Sequence, residues 1–148
     1  MSTYEDDLRL ALKTEFDAGQ IREVGDAANV FVALSKVYPA SGSKIEWKRV
    51  PGAIELAEED ESLQIERFVE FFDEMRSRFD LSGPVLYVGD SSTDFALEGT
   101  VDVIRRVLPE LIEIPQHHYF IGPNCSWCLC MTMEGDMGFG RIAASSGH

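Results

Sequence analysis

The sequence predicts an α+β domain: three N-terminal helices packed on a small mixed β-sheet of three to five strands. Two observations carry this expectation. Apolar residues recur at helical spacing in three stretches of the first eighty positions. From Pro84 onward they switch to compact runs and strict alternation punctuated by Gly, Pro and Asp turns. A chain of 148 residues buries a core without staples, and a single globular unit over residues 1–142 followed by a flexible tail at 143–148 accommodates every element.

Tyr4, Leu8, Ala11, Leu12 and Phe16 form the first helical stripe, with Gly19 as its stop. Asp26 caps a second helix, whose Ala27, Val30, Phe31, Leu34 and Tyr38 line one side before Pro39 ends it. Residues 45–50 alternate and read as a strand or extended connection, broken by Pro51-Gly52. The third helix presents Ile65, Phe68, Val69, Phe72, Met75 and Phe79 on a single face, a pattern of core packing.

Val85–Val88 reads as a buried strand. A helix capped by Ser91, Ser92 or Thr93 follows, carrying Leu97, Val101, Ile104 and Leu108 up to Pro109. A return strand at 116–121 then makes one right-handed parallel βαβ crossover. A β-meander completes the sheet: Trp127, Leu129, Met131 and Met133 face one way, Cys128, Cys130 and Thr132 the other, and 137–142 forms the last strand.

Charge narrows the function. The chain carries 26 acids against 13 bases, a net of −13. The imbalance is uneven: residues 1–54 hold 8 acids and 7 bases, residues 55–79 hold 9 and 3, and residues 80–140 hold 9 and 2. Such a field repels nucleic acid and anionic membrane surfaces and draws basic partners in. No apolar run approaches the roughly 20 residues of a membrane span, and the acidic N-terminus is unlike a secretory signal. Three clustered cysteines, Cys125, Cys128 and Cys130, make a poor disulfide framework, so a reducing cytoplasm is the expected compartment.

Three chemical constellations come close and fall short. Gly89-Asp90 with Asp94 resembles the magnesium-holding motif of haloacid-dehalogenase-type phosphatases, which would make a metal-dependent phosphoesterase-like hydrolase of Asp90 and Asp94. That family also needs an Asp-x-Asp nucleophile motif, and none is present. His117, His118 and the three cysteines have zinc-like composition but form only one knuckle. A cysteine nucleophile paired with one of the histidines lacks any cationic pocket to lower its thiol pKa. Phosphate loops, dinucleotide turns, nucleophile elbows and His-Glu-x-x-His pairs are absent. The expectation is a binding protein, not an enzyme, with no cofactor and no metal.

The stretches Val85–Gly99, His117-His118-Tyr119-Phe120-Ile121 and Trp127–Gly140 resemble immunity proteins of contact-dependent growth inhibition systems, over residues 84–140. The resemblance implies a cytoplasmic protein, monomeric when free, that binds the C-terminal domain of a cognate toxin, often a nuclease with a basic substrate surface. It carries over no catalytic residue.

The acidic groups expected to meet that partner are Glu58, Glu59, Asp60 and Glu61, then Asp90, Asp94, Glu98 and Asp102 along the crossover helix, and Glu134 with Asp136 in a turn. Asp94, Glu98 and Asp102 fall at four-residue steps and would form one ridge on a continuous helix.

Overall fold

The computed structural model describes residues 3–42 and 44–142; the tail expected at 143–148 lies outside them. Helices α1 (Thr3–Ala11) and α2 (Lys13–Asp17) realise the first stripe, broken at Leu12. Then come β1 (Arg22–Asp26), α3 (Ala27–Ser35), the small hairpin β2 (Ala40–Ser41) with β3 (Lys44–Ile45), and β4 (Ile54–Ala57). Helix α4 (Gln64–Phe79) precedes β5 (Pro84–Gly89), β6 (Phe95–Thr100), α5 (Val101–Ile112), β7 (His118–Ile121), β8 (Trp127–Met131) and β9 (Asp136–Arg141). No helix among the described residues is long and apolar enough to cross a membrane.

Seven strands form one sheet in the order β1-β6-β5-β7-β8-β9-β4, and every neighbouring pair is antiparallel. The expected βαβ crossover is therefore replaced. Residues 95–100 form a strand that folds back on β5 as a hairpin, and β5 meets β7 antiparallel, Leu86 opposite Ile121. The reason is local. Thr100, not Ser91–Thr93, caps the helix, its hydroxyl accepting from the Val103 amide at 3.2 Å. Leu97 matches the helical spacing only by coincidence. Helix α5 also runs on past Pro109 to Ile112: Val107, Leu108, Leu111 and Ile112 are all buried, which outweighs the roughly 3 kcal/mol a helical proline costs. The meander β7-β8-β9 forms as the alternation predicts.

The sheet is covered on both faces. Leu8 and Leu12, the α4 stripe through Phe68, Phe72 and Met75, and the α5 residues Ile104 and Leu108 pack on Tyr87, Leu97, Phe120, Leu129 and Phe139. The opposite face carries Val88, Tyr119, Ile121, Cys128 and Cys130 beneath α3 and the segment bearing Tyr38, Ile45, Trp47 and Val50. The three N-terminal helical units thus exist but do not share a face, since α3 lies alone on the second. Asp26 caps α3 as expected, accepting from the Asn29 amide at 3.1 Å.

Trp47 is the largest piece of that second layer. It follows the hairpin in a single 3-10 turn, Trp47–Arg49, where the alternation of residues 45–50 reads as a strand or extended connection. Its indole lies on β9 above Gly138 and Gly140, and Nε1 donates to Cys130 Sγ at 3.2 Å. A Cβ at Gly138 would stand 2.2 Å from the indole nitrogen, so the bare backbone is what admits the ring.

Candidate functional site

Two acidic runs that are almost eighty residues apart in sequence meet at one corner of the sheet. Strand β4 pairs with β9 so that Ala57 stands opposite Asp136, and the Glu58 amide donates to the Gly135 carbonyl at 3.1 Å. Gln64, the first residue of α4, is buried and ties the corner together through Nε2, which donates to the Glu58 carbonyl at 2.9 Å and the Glu134 carbonyl at 3.5 Å. The corner therefore gathers Glu58, Glu59, Asp60, Glu61, Glu134 and Asp136, and adds Glu55 from β4. No local pattern in the sequence singles out Glu55; only the long-range pairing of β4 with β9 brings it in.

The cations paired at this corner are Lys44 and Arg67, and Lys48 and Arg49 line a groove beside it. Lys44 reaches Glu134 at 3.1 Å, and Arg67 reaches Glu58 at 3.2 Å and Glu70 at 3.0 Å. Asp60 caps the turn before α4, accepting from the amide and hydroxyl of Ser62 at 3.0 and 2.7 Å. These hydrogen bonds hold the Asp60 carboxyl below the usual carboxylate range, and Lys44 does the same for Glu134. Glu55, Glu59, Glu61 and Asp136 are exposed and, among the described residues, in no ion pair. The site is strongly negative at neutral pH.

Strand β4 is also a sheet edge. Glu55, Leu56 and Ala57 are exposed, and ladder alternation turns the backbone groups of Glu55 and Ala57 away from β9. Beside it runs a groove of about 670 Å³, lined by Lys44, Trp47, Glu55, Ala57, Thr132 and Asp136 among others. The opposite edge strand, β1, carries a bulge between Glu23 and Gly25, a device that blunts an edge.

The Asp94–Glu98–Asp102 ridge does not form. Asp94 precedes β6, Glu98 lies within it and Asp102 begins α5. Glu98 pairs with Arg22 and Asp102 with Arg76, so two of the three charges are matched. Asp90 faces inward: its carboxylate accepts from the His117 amide at 2.9 Å. The Asp94 amide donates to Glu5 at 2.7 Å, and its carbonyl accepts from Ala27 at 2.7 Å. Asp90 and Asp94 thus fasten the loop between β5 and β6.

That loop encloses a buried polar network. Gln116, almost wholly buried, accepts through Oε1 from the amides of Ser91, Ser92 and Thr93 at 3.3, 2.8 and 3.1 Å. Its Nε2 donates to the Tyr87 hydroxyl and to Thr93 Oγ1, both at 3.0 Å. Tyr87, with its proton free, donates to His118 Nδ1 at 2.7 Å. Burial pushes the His118 pKa down to about 4, so the ring is neutral at pH 7.

The histidine and cysteine positions diverge. His118 lies on the α4–α5 face, whereas Cys128 and Cys130 are buried on the α3 face. His117 accepts from the Met133 amide through Nδ1 at 2.9 Å. Among the described residues, no group of three or more His, Cys, Asp or Glu side chains is placed to hold a metal ion. Burial raises the Cys130 thiol to about 12 and Cys128 well above its ordinary value, leaving both protonated and unreactive at neutral pH.

No protein-family model matches the chain, and no curated protein matches it.

Proposed function

We propose that this chain is an immunity-type inhibitor, acting in the cytoplasm by covering the basic surface of a cognate toxin domain without making or breaking bonds. The single observation that supports it is the corner at β4 and the β8–β9 turn. There the carboxylates of Glu55, Glu58–Glu61, Glu134 and Asp136 gather, and among the described residues Lys44 and Arg67 are the cations paired with them, with Lys48 and Arg49 lining the adjoining groove. A sheet-anchored negative surface is rigid, so it loses little conformational freedom on binding and complements a cationic substrate cleft. The resemblance over residues 84–140 gives the partner its class, a toxin C-terminal domain of nuclease type.

The contact surface proposed here is the corner. Asp90 is engaged internally, and Glu98 and Asp102 are neutralised by Arg22 and Arg76. Those three are not part of it, and Asp94 lies apart from it.

The test is protection and binding together. Cells producing the toxin domain encoded beside this gene should survive when they also produce this chain, and the two proteins should co-purify. Survival without complex formation, or a complex that leaves toxin activity intact, would overturn the reading.

A further inference from the structure

The cations of this acidic chain are not evenly matched. Among the described residues nine of the 13 lysines and arginines lie within 4.0 Å of a carboxylate, although acids outnumber bases two to one. The four without such a partner are Lys36, Lys48, Arg78 and Arg141. Of these, Arg141 lines a cavity of about 610 Å³, whose lining also includes Tyr38, Arg49, Pro51, Phe79 and Ile142, and Arg78 stands next to that Phe79; Lys48 lines the groove beside β4 instead. Among the described residues, no carboxylate lines the cavity. Glu46, outside the lining, approaches Arg49 at 3.6 Å.

The cavity has an aromatic wall. Phe79, the last residue of α4, stacks on Phe139 with ring centroids 4.8 Å apart. The Arg141 guanidinium lies 4.5 Å from the Phe79 ring centroid, and that of Arg78 5.3 Å. The negative end of the α4 dipole accounts for Arg78. It does not account for Arg141, at the end of β9, or for Arg49, on the 3-10 turn after Trp47. A guanidinium held over a ring face can still donate through its N–H groups, which suits a planar or tetrahedral oxyanion. The volume falls within the roughly 300–1,000 Å³ of small-molecule sites. Apolar walls of Pro51, Val50 and Ile142 favour a ligand with an apolar body.

We propose that the cavity between Arg49, Phe79 and Arg141 binds a small organic anion, a carboxylate or phosphate monoester carried on an apolar body. The proposal does not rest on the inhibitor reading, and Arg49 stands between this cavity and the groove beside β4, lining both.

Titration of the full chain with phenyl phosphate, benzoate, inorganic phosphate and phenol, followed by amide shifts in two-dimensional NMR, tests it. One or both aromatic anions should give saturable shifts at Val37, Gly52, Phe79 and Ile142. Phenol should give none there, and inorganic phosphate should bind more weakly. R141Q, and separately R49Q, should weaken the anion by about tenfold or more, the scale of a lost charge-assisted hydrogen bond. Phenyl phosphate alone narrows the class to phosphates and benzoate alone to carboxylates. Absence of saturable shifts with both anions, equal binding of phenol, or unchanged affinity in both arginine variants overturns the proposal.

Discussion

Asp136 and Arg141 stand at the two ends of the same strand, β9, and mark an acidic pole at the corner and a basic one over the Phe79 ring. Helix α4 runs beside that axis from Gln64, bonded to the acidic corner, to Phe79, beneath the Arg141 guanidinium. Its dipole is aligned with both poles: the positive N-terminal end meets Glu58–Glu61 and Glu134, and the negative C-terminal end meets Arg76, Arg78 and Arg141. Charge segregation here follows from helix direction and strand register together.

The acidic pole should govern association. Reversing the unpaired Glu59, Glu61 and Asp136 to lysine should slow association with a basic toxin domain by about tenfold at low ionic strength and flatten its salt dependence. Stopped-flow rates across a salt series measure this, with Glu98, Asp102 and Asp73 reversed together as the charge-matched comparison, since Arg22, Arg76 and Arg105 already match them. Equal slowing by both variants would mean that net charge, and not the corner, does the steering.

The corner was only half legible in the sequence. Glu58–Glu61 and the Glu134–Asp136 turn stand out as charge, but their meeting depends on β4, an edge strand whose Glu55, Leu56 and Ala57 are all exposed. Strand β1 hid for the same reason: all five of its residues are exposed, so no buried alternation marks it. Where a face is buried, the pattern spoke clearly. Trp127, Leu129 and Met131 divide from Cys128 and Cys130 as alternation requires, and the α4 stripe packs as its spacing implies. The crossover failed because Leu97 fits the period of Val101, Ile104 and Leu108, while Gly99 and the Thr100 cap, which separate strand from helix, give a weaker signal than four apolar residues in phase.

Gly138 is expected to tolerate no side chain. Its missing Cβ is the space occupied by the Trp47 indole, 2.2 Å from where that carbon would be, and Trp47 cannot retreat without losing the Cys130 contact. Gly138→Ala should cost about 2–4 kcal/mol by urea denaturation. Trp47→Leu in the same background should recover part of the loss by removing the clash. A Gly138→Ala variant within 0.5 kcal/mol of the parent, on the order of an ordinary surface substitution, would place the indole elsewhere.

Gln116 is expected to be the most costly polar residue to replace. One side-chain amide satisfies three backbone N–H groups and two hydroxyls in a buried loop, and Gly89 beneath it has no room for a Cβ, with Gln116 Nε2 1.9 Å from that position. Gln116→Leu keeps the bulk and orphans those groups, for a loss of about 3–5 kcal/mol. Hydrogen exchange should quicken at Ser92 and Thr93 before the rest of the sheet opens. Unchanged exchange at both amides would show that the loop is held by Glu5 and Asp90 alone.

His118 gives the fold a pH dependence whose direction follows from its burial. Its pKa falls from the ordinary 6.5 to about 4, because the desolvated ring must stay neutral to accept from Tyr87. Above pH 6.5 neither the native nor the unfolded chain protonates this ring, and it contributes no pH dependence. Between about 6.5 and 4 the unfolded chain takes up a proton that the native chain refuses, so stability drops as pH falls. The full effect is on the order of 3 kcal/mol. His118→Gln can still accept from Tyr87 but does not titrate, so its stability should stay flat from pH 7 to 5.5 while the parent declines over that interval, ahead of most carboxylate titration. Parallel pH profiles for the two proteins would mean that His118 protonates in the native state and that the Tyr87 contact does not fix its charge.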